Sequence, residues 1–156
     1  MIEPFDSEAG YRAAIDATLR TAKRELRIFD GDLERMTLDD PVRSALLLAF
    51  LSGAPTRRLH IVLHNLESLQ TRHPRLLNLI RSHGPQIEIR RTPDHLRHLA
   101  DCFVLADETH GAVRFHADHA RGKGVSDDDI EIHPLWQRFD DLWETSQVCT
   151  PSTAGY

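Results

Sequence analysis

The first half of the chain alternates between helical and strand-like patterns of apolar residues. Behind Asp6 and Ser7, either of which can cap a helix, apolar side chains recur at helical spacing and predict a helix ending near Arg24. Two aspartates before Pro41 and a stop at Gly53 bound a second predicted helix. After an irregular stretch, a third helix is predicted over 74–83, and alternating apolar positions predict strands at 26–29, 58–64 and 86–91.

In the second half of the chain, predicted helices and strands no longer alternate. The segments Asp101–Ala106 and Gly111–Phe115 are predicted to pair as an antiparallel hairpin. The polar stretch Ala117–Asp129 is predicted to be a loop, and a final helix is predicted from about Pro134 to Ser146. The element order αβαβαββα predicts an α/β fold, with one mixed sheet of about five strands and helices on both of its faces.

Length and composition indicate one globular domain rather than a membrane or disordered chain. The protein has 156 residues, of which 40% are hydrophobic and 28% are charged. Its longest apolar run, Ala45–Leu51, is far shorter than the roughly 20 residues that a membrane-spanning helix needs. We expect a single domain over 1–147, a flexible tail over 148–156 and no membrane association. Because the first residues lack the basic start and apolar core of a secretory signal, we expect a cytoplasmic location.

The net charge of −5 gives the chain no overall attraction for nucleic acid. A local basic patch in the second half keeps nucleic-acid contact open as an interpretation, although acidic neighbours weigh against it. The two cysteines, Cys102 in an apolar run and Cys149 in the polar tail, are typical of free thiols in a reducing compartment, and no disulfide is expected.

The stretch Ala100–Asp107 resembles a motif of the phospholipase D-like superfamily that has lost two of its residues. The superfamily carries H-x-K-x(4)-D on the strand before its last hairpin. In this chain Asp107 stands at the Asp position, but Ala100 replaces the His and Cys102 replaces the Lys. Where the superfamily has G-S-x-N downstream, residues 115–118 are Phe-His-Ala-Asp, whereas the turn at 129–131 and the helix after it match the superfamily in outline.

This resemblance implies a phospholipase D-like half fold in a degenerate member of the superfamily. The chain is also similar to a bacterial domain of unknown function that occurs alone or behind a GNAT acetyltransferase domain. Proteins with a single half complete their cleft by two-fold pairing, so the resemblance implies a homodimer.

The two replacements matter because phosphodiester transfer in that superfamily needs an imidazole nucleophile, a cation on the phosphoryl oxygens and a second acid or base. Ala100 can supply none of these groups. Cys102 could act as a nucleophile only beside a cation that lowered its pKa, and its apolar context instead predicts a buried core thiol. No catalytic residue is therefore assigned.

The richest group of titratable residues is His116, Asp118 and His119, beside Arg114. The pattern is similar to part of the H-x-H-x-D-H metal motif of metallo-β-lactamases, but its first His would fall on Arg114. A cation at that position and the lack of a partner pair elsewhere argue against zinc. We expect no metal and no cofactor.

A second candidate is the glycine-containing stretch Arg121–Gly124. Two cations and glycine-permitted backbone turns could hold an anion, although the spacing lacks the pattern of a P-loop. The alternative is a solvated loop that is neutralised by the acidic run Asp127–Asp129.

The ends of the predicted strands supply a third candidate, because open α/β sheets bind ligands at the carboxyl ends of parallel strands. His60 and His64 of one strand and Arg90 and Arg91 at the end of the next could meet there, and Asp30 at the end of the first strand could join them. Alternatively His60 is a hydrogen-bonded interior residue and His64 a loop-edge residue.

In the last helix, Trp143 is expected in the core, whereas Trp136 is expected to mark an interface.

Three functional hypotheses follow. The leading one is a non-catalytic binding or regulatory module that pairs as a homodimer and binds an anionic small molecule or a protein partner. The alternative is an enzyme with relocated chemistry, phosphate-ester or metal-dependent, around His116, Asp118 and His119. The third is nucleic-acid contact. The candidate ligand or anion cleft comprises Asp30, His64, Arg90, Asp107, Arg114, His116, Asp118, His119, Arg121 and Lys123.

Overall fold

The computed structural model describes residues 1–151 of the chain, as five α-helices and eight β-strands. The helices are α1 (Glu8–Thr21), α2 (Pro41–Ser52), α3 (Glu67–Arg72), α4 (Pro74–Ser82) and α5 (Asp129–Thr145). The strands are β1 (Ile2–Phe5), β2 (Glu25–Asp30), β3 (Arg58–Leu63), β4 (Ile87–Arg91), β5 (Cys102–Ala106), β6 (His110–His116), β7 (His119–Val125) and β8 (Gln147–Val148).

The strands form one mixed sheet in the order β1-β7-β6-β5-β2-β3-β4-β8. The central strands β2, β3 and β4 are parallel, and each of the other pairings is antiparallel. The predicted fold class, a mixed sheet with helices on both faces, is confirmed. The sheet has eight strands rather than the expected five or so.

Each strand of the sheet centre sends alternate side chains to opposite layers, as the pleat requires. In β2, Leu26 and Ile28 belong to the core beneath α1, α2 and α4, whereas Phe29 belongs to the core beneath α5. The α1 side and the α5 side of the sheet are therefore two separate packed layers.

The helix caps lie where the sequence predicts them. The Ser7 hydroxyl accepts a hydrogen bond from the Gly10 N–H at 3.0 Å, and the Asp40 carboxylate accepts one from the Val42 N–H at 2.9 Å. Both contacts satisfy N–H groups that the first turn of a helix leaves free. Helix α2 ends immediately before Gly53, as expected.

The predicted loop over 117–129 is wrong, because most of it is strand β7. Strand β7 pairs with β6 through a tight turn at Ala117-Asp118, and its outer side pairs with β1, which the apolar pattern also misses. Because β7 consists largely of polar residues and glycines, it lacks the alternating apolar positions that predict a strand. Gly122 is required there, because a Cβ atom would lie 1.8 Å from the Val113 carbonyl oxygen.

The final helix begins at Asp129 rather than Pro134. The Asp128 carboxylate caps it by accepting a hydrogen bond from the Glu131 N–H at 3.0 Å, so Pro134 lies inside the helix. The expected interface role of Trp136 is also wrong. Its ring is buried, and the Arg27 guanidinium carbon lies 3.8 Å from the ring centre.

Two further segments are more regular than the sequence suggests. The stretch after β3, expected to be irregular, contains the short helix α3. The segment expected to be a tail begins with Val148 paired to β4, and the Cys149 N–H donates to the Ile89 carbonyl at 2.8 Å. The rest of that predicted tail, 152–156, lies outside the described residues. Within residues 1–151, none of the helices combines the length and the apolar character needed to cross a bilayer.

Candidate functional site

A buried row of polar side chains crosses three neighbouring strands on the α1 side of the sheet. Asp30 ends β2, Cys102 begins β5 and Arg114 lies near the end of β6. The pairing of Phe29 with Phe103 brings Asp30 beside Cys102, and Cys102 is paired directly with Arg114. The exposed fractions of the three are 4%, 1% and 1%, so this row is sealed from solvent. We call it the polar row.

Tyr11 of α1 covers the polar row, and two of the polar atoms there have no partner. One Asp30 oxygen accepts a hydrogen bond from the Gly31 N–H at 2.7 Å. Among the described residues, the other Asp30 oxygen and the Tyr11 hydroxyl are buried without a hydrogen-bond partner. Burial raises the pKa of Asp30 to about 6, and the hydrogen bond from the Gly31 N–H partly opposes that shift. A carboxyl group in this position titrates close to neutral pH.

The thiol and the phenol of this cluster remain protonated at neutral pH. Burial raises the pKa of the Cys102 thiol, and the neighbouring Asp30 carboxylate raises it further. Burial likewise raises the pKa of the Tyr11 hydroxyl. A cysteine is nucleophilic as its thiolate, so Cys102 is a core thiol, as expected from its apolar context.

Arg114 is fully engaged inside the protein. Its guanidinium group donates to both Glu8 carboxylate oxygens, at 2.6 and 3.1 Å, and to the Ala117 carbonyl at 2.8 Å. Hydrogen bonding between the two side chains lowers the pKa of Glu8 and raises that of Arg114. The Tyr11 ring lies beneath, with its centre 4.9 Å from the guanidinium carbon. These hydrogen bonds of Arg114 connect the start of α1 to the β6–β7 turn.

The two ends of the motif-like stretch also make internal contacts. At one end, the Ala100 carbonyl accepts a hydrogen bond from the Ala117 N–H at 2.7 Å. At the other end, the Asp107 carboxylate accepts from the N–H groups of Lys23, Arg24 and Glu25 at 2.7, 2.9 and 2.9 Å. Asp107, which stands at the Asp position of the motif-like stretch, therefore anchors the chain entering β2, at the end of β5 remote from Cys102.

The histidine-rich segment forms the exposed tip of the β6–β7 hairpin. His116 Nδ1 lies 4.0 Å from an Asp118 carboxylate oxygen and accepts a hydrogen bond from the Asp118 N–H at 3.0 Å. The ring centres of His116 and His119 are 5.3 Å apart. The side chains of His116 and Asp118 are 48% and 67% exposed. Across residues 1–151, no group of three or more His, Cys, Asp or Glu side chains is placed to hold a metal ion.

The remaining candidates do not meet at the polar row. His64 is held by Thr92 Oγ1 at 2.6 Å and by the Leu99 carbonyl at 2.8 Å, and burial lowers its pKa. Arg90 lies on the α5 side, where its guanidinium carbon is 4.1 Å from the centre of the Trp143 ring. Both side chains have structural partners.

The predicted anion stretch, Arg121–Gly124, lies within β7. Arg121 is exposed, whereas Lys123 forms an ion pair with Glu131 of α5. The acidic run Asp127–Asp129 was the alternative partner for these two cations. Among the described residues it forms no ion pair with Arg121 or Lys123, and the carboxylate that pairs with Lys123 is Glu131 of α5. Of the ten candidates, the structure brings together Asp30 and Arg114 in the polar row and His116, Asp118 and His119 at the hairpin tip.

An open groove of about 720 Å³ lies on the α5 side, between the segment before β5, the β6–β7 hairpin and the start of α5. Phe115 and Ile130 line it and are 58% and 83% exposed. Its charged side chains are neutralised in pairs: Lys123 contacts Glu131, and Arg138 donates to Asp101 at 2.8 Å. The groove therefore presents apolar surface with no excess charge.

No sequence pattern indicated Glu8 as the partner of Arg114, and the helical spacing placed Tyr11 among the apolar positions of the predicted helix. Nothing in a helix-spaced apolar pattern distinguishes a tyrosine that covers a polar row from one that fills a core. A buried arginine requires a carboxylate partner, but α1 and β6 are far apart in the chain, so the pairing becomes visible only in three dimensions.

Solved structures share this fold at low sequence identity. TrmBL2, an archaeal chromatin protein with a novel mode of DNA binding, matches 95% of this chain with a TM-score of 0.67 and 11% identity, and this chain spans 54% of its length. The phospholipase D family member Nuc from Salmonella typhimurium matches 97% of the chain with a TM-score of 0.66 and 13% identity, over 99% of its own length. NucT from Helicobacter pylori matches 96% of the chain with a TM-score of 0.57 and 10% identity, over 99% of its own length.

These likenesses show a phospholipase D-like fold, and at such identities they show the fold alone. A search of curated proteins found none with a significant match to the chain. The model of one family matches residues 7–152, which is nearly the whole chain. The chain therefore belongs to the family described as a domain of unknown function, DUF7931.

Proposed function

We propose that this protein is a non-catalytic binding module on a phospholipase D-like scaffold. The observation that carries the proposal is the polar row. Where the resembling enzymes have an imidazole and an ammonium group, this chain has the methyl group of Ala100 and the buried thiol of Cys102. The nearby cation, Arg114, is already bound to Glu8.

Each chemical role in phosphodiester transfer lacks an available group at that position. A nucleophile must reach a phosphorus atom, but the Cys102 thiol is buried and protonated. A cation must face the phosphoryl oxygens, but the N–H groups of Arg114 point to Glu8 and to backbone carbonyls. Asp107 is held by backbone N–H groups at the far end of the strand. The scaffold is suited to binding rather than to bond cleavage.

The groove beside α5 is the binding surface that the geometry favours. Large exposed apolar residues in a concave surface are typical of protein contacts. Because the charges of the groove are paired, we propose an apolar segment of a protein partner rather than an anionic small molecule. The homodimer implied by the resemblance, the GNAT association and a cytoplasmic location remain predictions.

One observation favours the alternative of relocated chemistry. His116, Asp118 and His119 lie close together on the β6–β7 hairpin, with an imidazole nitrogen 4.0 Å from a carboxylate oxygen. Against it, these side chains are exposed, and neither the groove beside α5 nor the polar row includes them. General acid–base catalysis requires such groups to converge on a bound substrate.

The test is hydrolysis of bis(p-nitrophenyl) phosphate, with and without added Mg²⁺ or Zn²⁺. We expect the wild-type protein to release p-nitrophenol no faster than buffer. Turnover by wild type would refute the proposal. If that turnover were lost in the H116A variant and kept in H133A, which removes an exposed histidine of α5, the relocated site would be established.

A further inference from the structure

The chain between β2 and α2 runs along the same strand ends as the polar row. Residues 31–40 contain no helix or strand, and we call them the strap. The strap begins at the end of β2, directly after Asp30, and its Arg35 donates a hydrogen bond to the Ala117 carbonyl at the β6–β7 turn. The polar row also crosses from β2 through β5 to β6. The strap therefore spans the end of the sheet at which the polar row is buried.

Packing holds the strap in a strained conformation. Leu33, Met36 and Leu38 are 0%, 0% and 1% exposed and belong to the same core cluster as Cys102. The backbone φ angles of Leu33 and Thr37 are 71° and 46°, in the left-handed region that residues other than glycine rarely adopt. Such conformations persist only where the surrounding contacts enforce them. Once those contacts loosen, the strained backbone favours departure of the strap.

The side of the strap that faces α3 and α4 is held by several hydrogen bonds. The Ser68 hydroxyl donates to the Asp32 carbonyl at 2.8 Å. The Asp39 carboxylate accepts from the N–H groups of Arg75 and Leu76 at 2.9 and 3.1 Å, in the first turn of α4. The contacts of Asp39 satisfy N–H groups that the helix itself leaves free, so this side of the strap is firmly attached.

The side of the strap that faces the β6–β7 hairpin is held by one exposed arginine. Besides its bond to the Ala117 carbonyl, Arg35 pairs with Asp118, at 3.1 Å from guanidinium nitrogen to carboxylate oxygen, and its side chain is 44% exposed. Among the described residues, the hydrogen bonds and ion pairs between strap and hairpin are all made by Arg35. Exposed pairs of this kind are weak. Arg35 is therefore a latch that can release without disturbing the sheet.

Two buried polar atoms gain partners when water reaches the polar row. One Asp30 oxygen and the Tyr11 hydroxyl have no hydrogen-bond partner among the described residues. A buried polar group without a partner has lost the hydrogen bonds that water would supply, which is unfavourable. Opening of the strap would restore those bonds, and this gain offsets part of the packing that is lost when Leu33 and Met36 leave the core.

We propose that the strap is a movable cover of the polar row, which Arg35 latches and which opens while the rest of the sheet stays folded. The inference goes beyond the proposed function, because the groove beside α5 lies on the other side of the sheet. In the open form, the Asp30 carboxylate and the Tyr11 hydroxyl face solvent at the carboxyl end of β2. Open α/β sheets bind ligands at this edge. The strap therefore governs whether the polar row can take part in binding.

The Cys102 thiol reports the opening, because it is 1% exposed in the closed protein and lies beside Asp30. In a C149S variant it is the only thiol of the chain. The rate at which excess DTNB labels Cys102 then measures the population of the open form. We expect labelling without urea, at a rate that hardly changes at urea concentrations well below the unfolding transition, because a local opening exposes little surface.

Three substitutions in the C149S background separate the latch from global stability. R35A removes the latch and should raise the labelling rate about three- to tenfold. The matched control R121A removes another exposed arginine of the same hairpin, one without an ion pair among the described residues, and should leave the rate unchanged. V62A makes a cavity in the core on the α5 side and lowers the stability of the whole fold, yet it should also leave the rate without urea unchanged.

Hydrogen exchange followed by mass spectrometry locates the segment that opens. Because Tyr11 of α1 also covers the polar row, displacement of α1 would expose Cys102 as well. R35A should speed exchange of the amides of the strap, whereas the amides of α1 should stay protected. The comparison therefore distinguishes a moving strap from a moving helix.

Three results would overturn the inference. One is labelling of Cys102 that rises with urea as steeply as global unfolding does and that V62A accelerates. Another is a folded R35A variant that is labelled no faster than its parent. The third is faster exchange of α1 in R35A, which would assign the opening to the helix. None of these results bears on phosphodiester turnover, so they leave the test of the proposed function unaffected.

Discussion

Replacing Asp30 with asparagine removes a titratable group from the core and keeps the shape of the side chain. Asp30 is 4% exposed, and one of its oxygens has no hydrogen-bond partner among the described residues. The groups that face it are Tyr11 of α1, Cys102 of β5, Arg114 of β6 and Asp32 in the following loop. Arg114 is bound to Glu8, and Asp30 forms no ion pair among the described residues.

The size of the effect follows from the shift in the pKa of Asp30. Burial raises it from 3.8 to about 6, and one pKa unit corresponds to about 1.4 kcal/mol. Between these values the folded protein keeps a proton that the unfolded chain has lost, so the stability contributed by Asp30 falls as pH rises. Above pH 6 the full cost of a buried carboxylate, about 3 kcal/mol, is present, and below pH 3.8 it is absent.

The measurement is urea unfolding of wild type and D30N at a series of pH values. Relative to wild type, D30N should gain up to about 3 kcal/mol between pH 4 and pH 7, in addition to a constant offset from the new amide. Other carboxylates titrate equally in both proteins and cancel in the difference. A difference that stays constant with pH would show that Asp30 does not titrate near neutrality.

Three further changes test the contacts around the candidate site, each by urea unfolding. D107A should cost about 2 to 3 kcal/mol, because three backbone N–H groups lose their acceptor, and D107N should cost less. G122A should cost about 1 to 3 kcal/mol because its Cβ would overlap a carbonyl of β6, whereas G31A, which meets no atom within 4 Å, should change little. E8Q should lower the free energy of unfolding by about 1 to 2 kcal/mol, a small value because Glu8 is half exposed. This loss should shrink as pH falls through the lowered pKa of Glu8, where the wild-type carboxylate becomes protonated as well. A loss that does not change with pH would argue against the pair with Arg114.

The parts of the fold that the sequence predicted well are those with a local physical signal. The cap at Asp40, the proline at the start of α2 and the glycine after it act within a single turn, and they bound the helix correctly. The strands β2, β3 and β4 are short apolar runs between breakers, and their positions were also predicted. The resemblance of the stretch ending at Asp107 indicated the phospholipase D-like fold, although Asp107 itself proved to be a backbone anchor.

The strands that were missed depend on partners distant in the chain. Strand β7 contains two glycines and two cations, so it lacks the alternation that identifies a strand from its own residues. It is a strand because β6 and β1 supply its hydrogen bonds, and because Gly122 allows close approach of the neighbouring backbone. The polar appearance of this segment was a consequence of its position near the sheet edge rather than of loop structure.

By itself the sequence determined the fold class, most helix bounds and the absence of an imidazole at position 100 and of an ammonium group at position 102, since each depends on residue identity or local spacing. Only the tertiary structure decided which polar groups meet. The pairing of Arg114 with Glu8 and the isolation of Asp30 arise because sheet pairing and helix packing bring together residues far apart in the chain. Burial then fixes their charge states, since desolvation is set by surrounding atoms that a linear pattern does not specify.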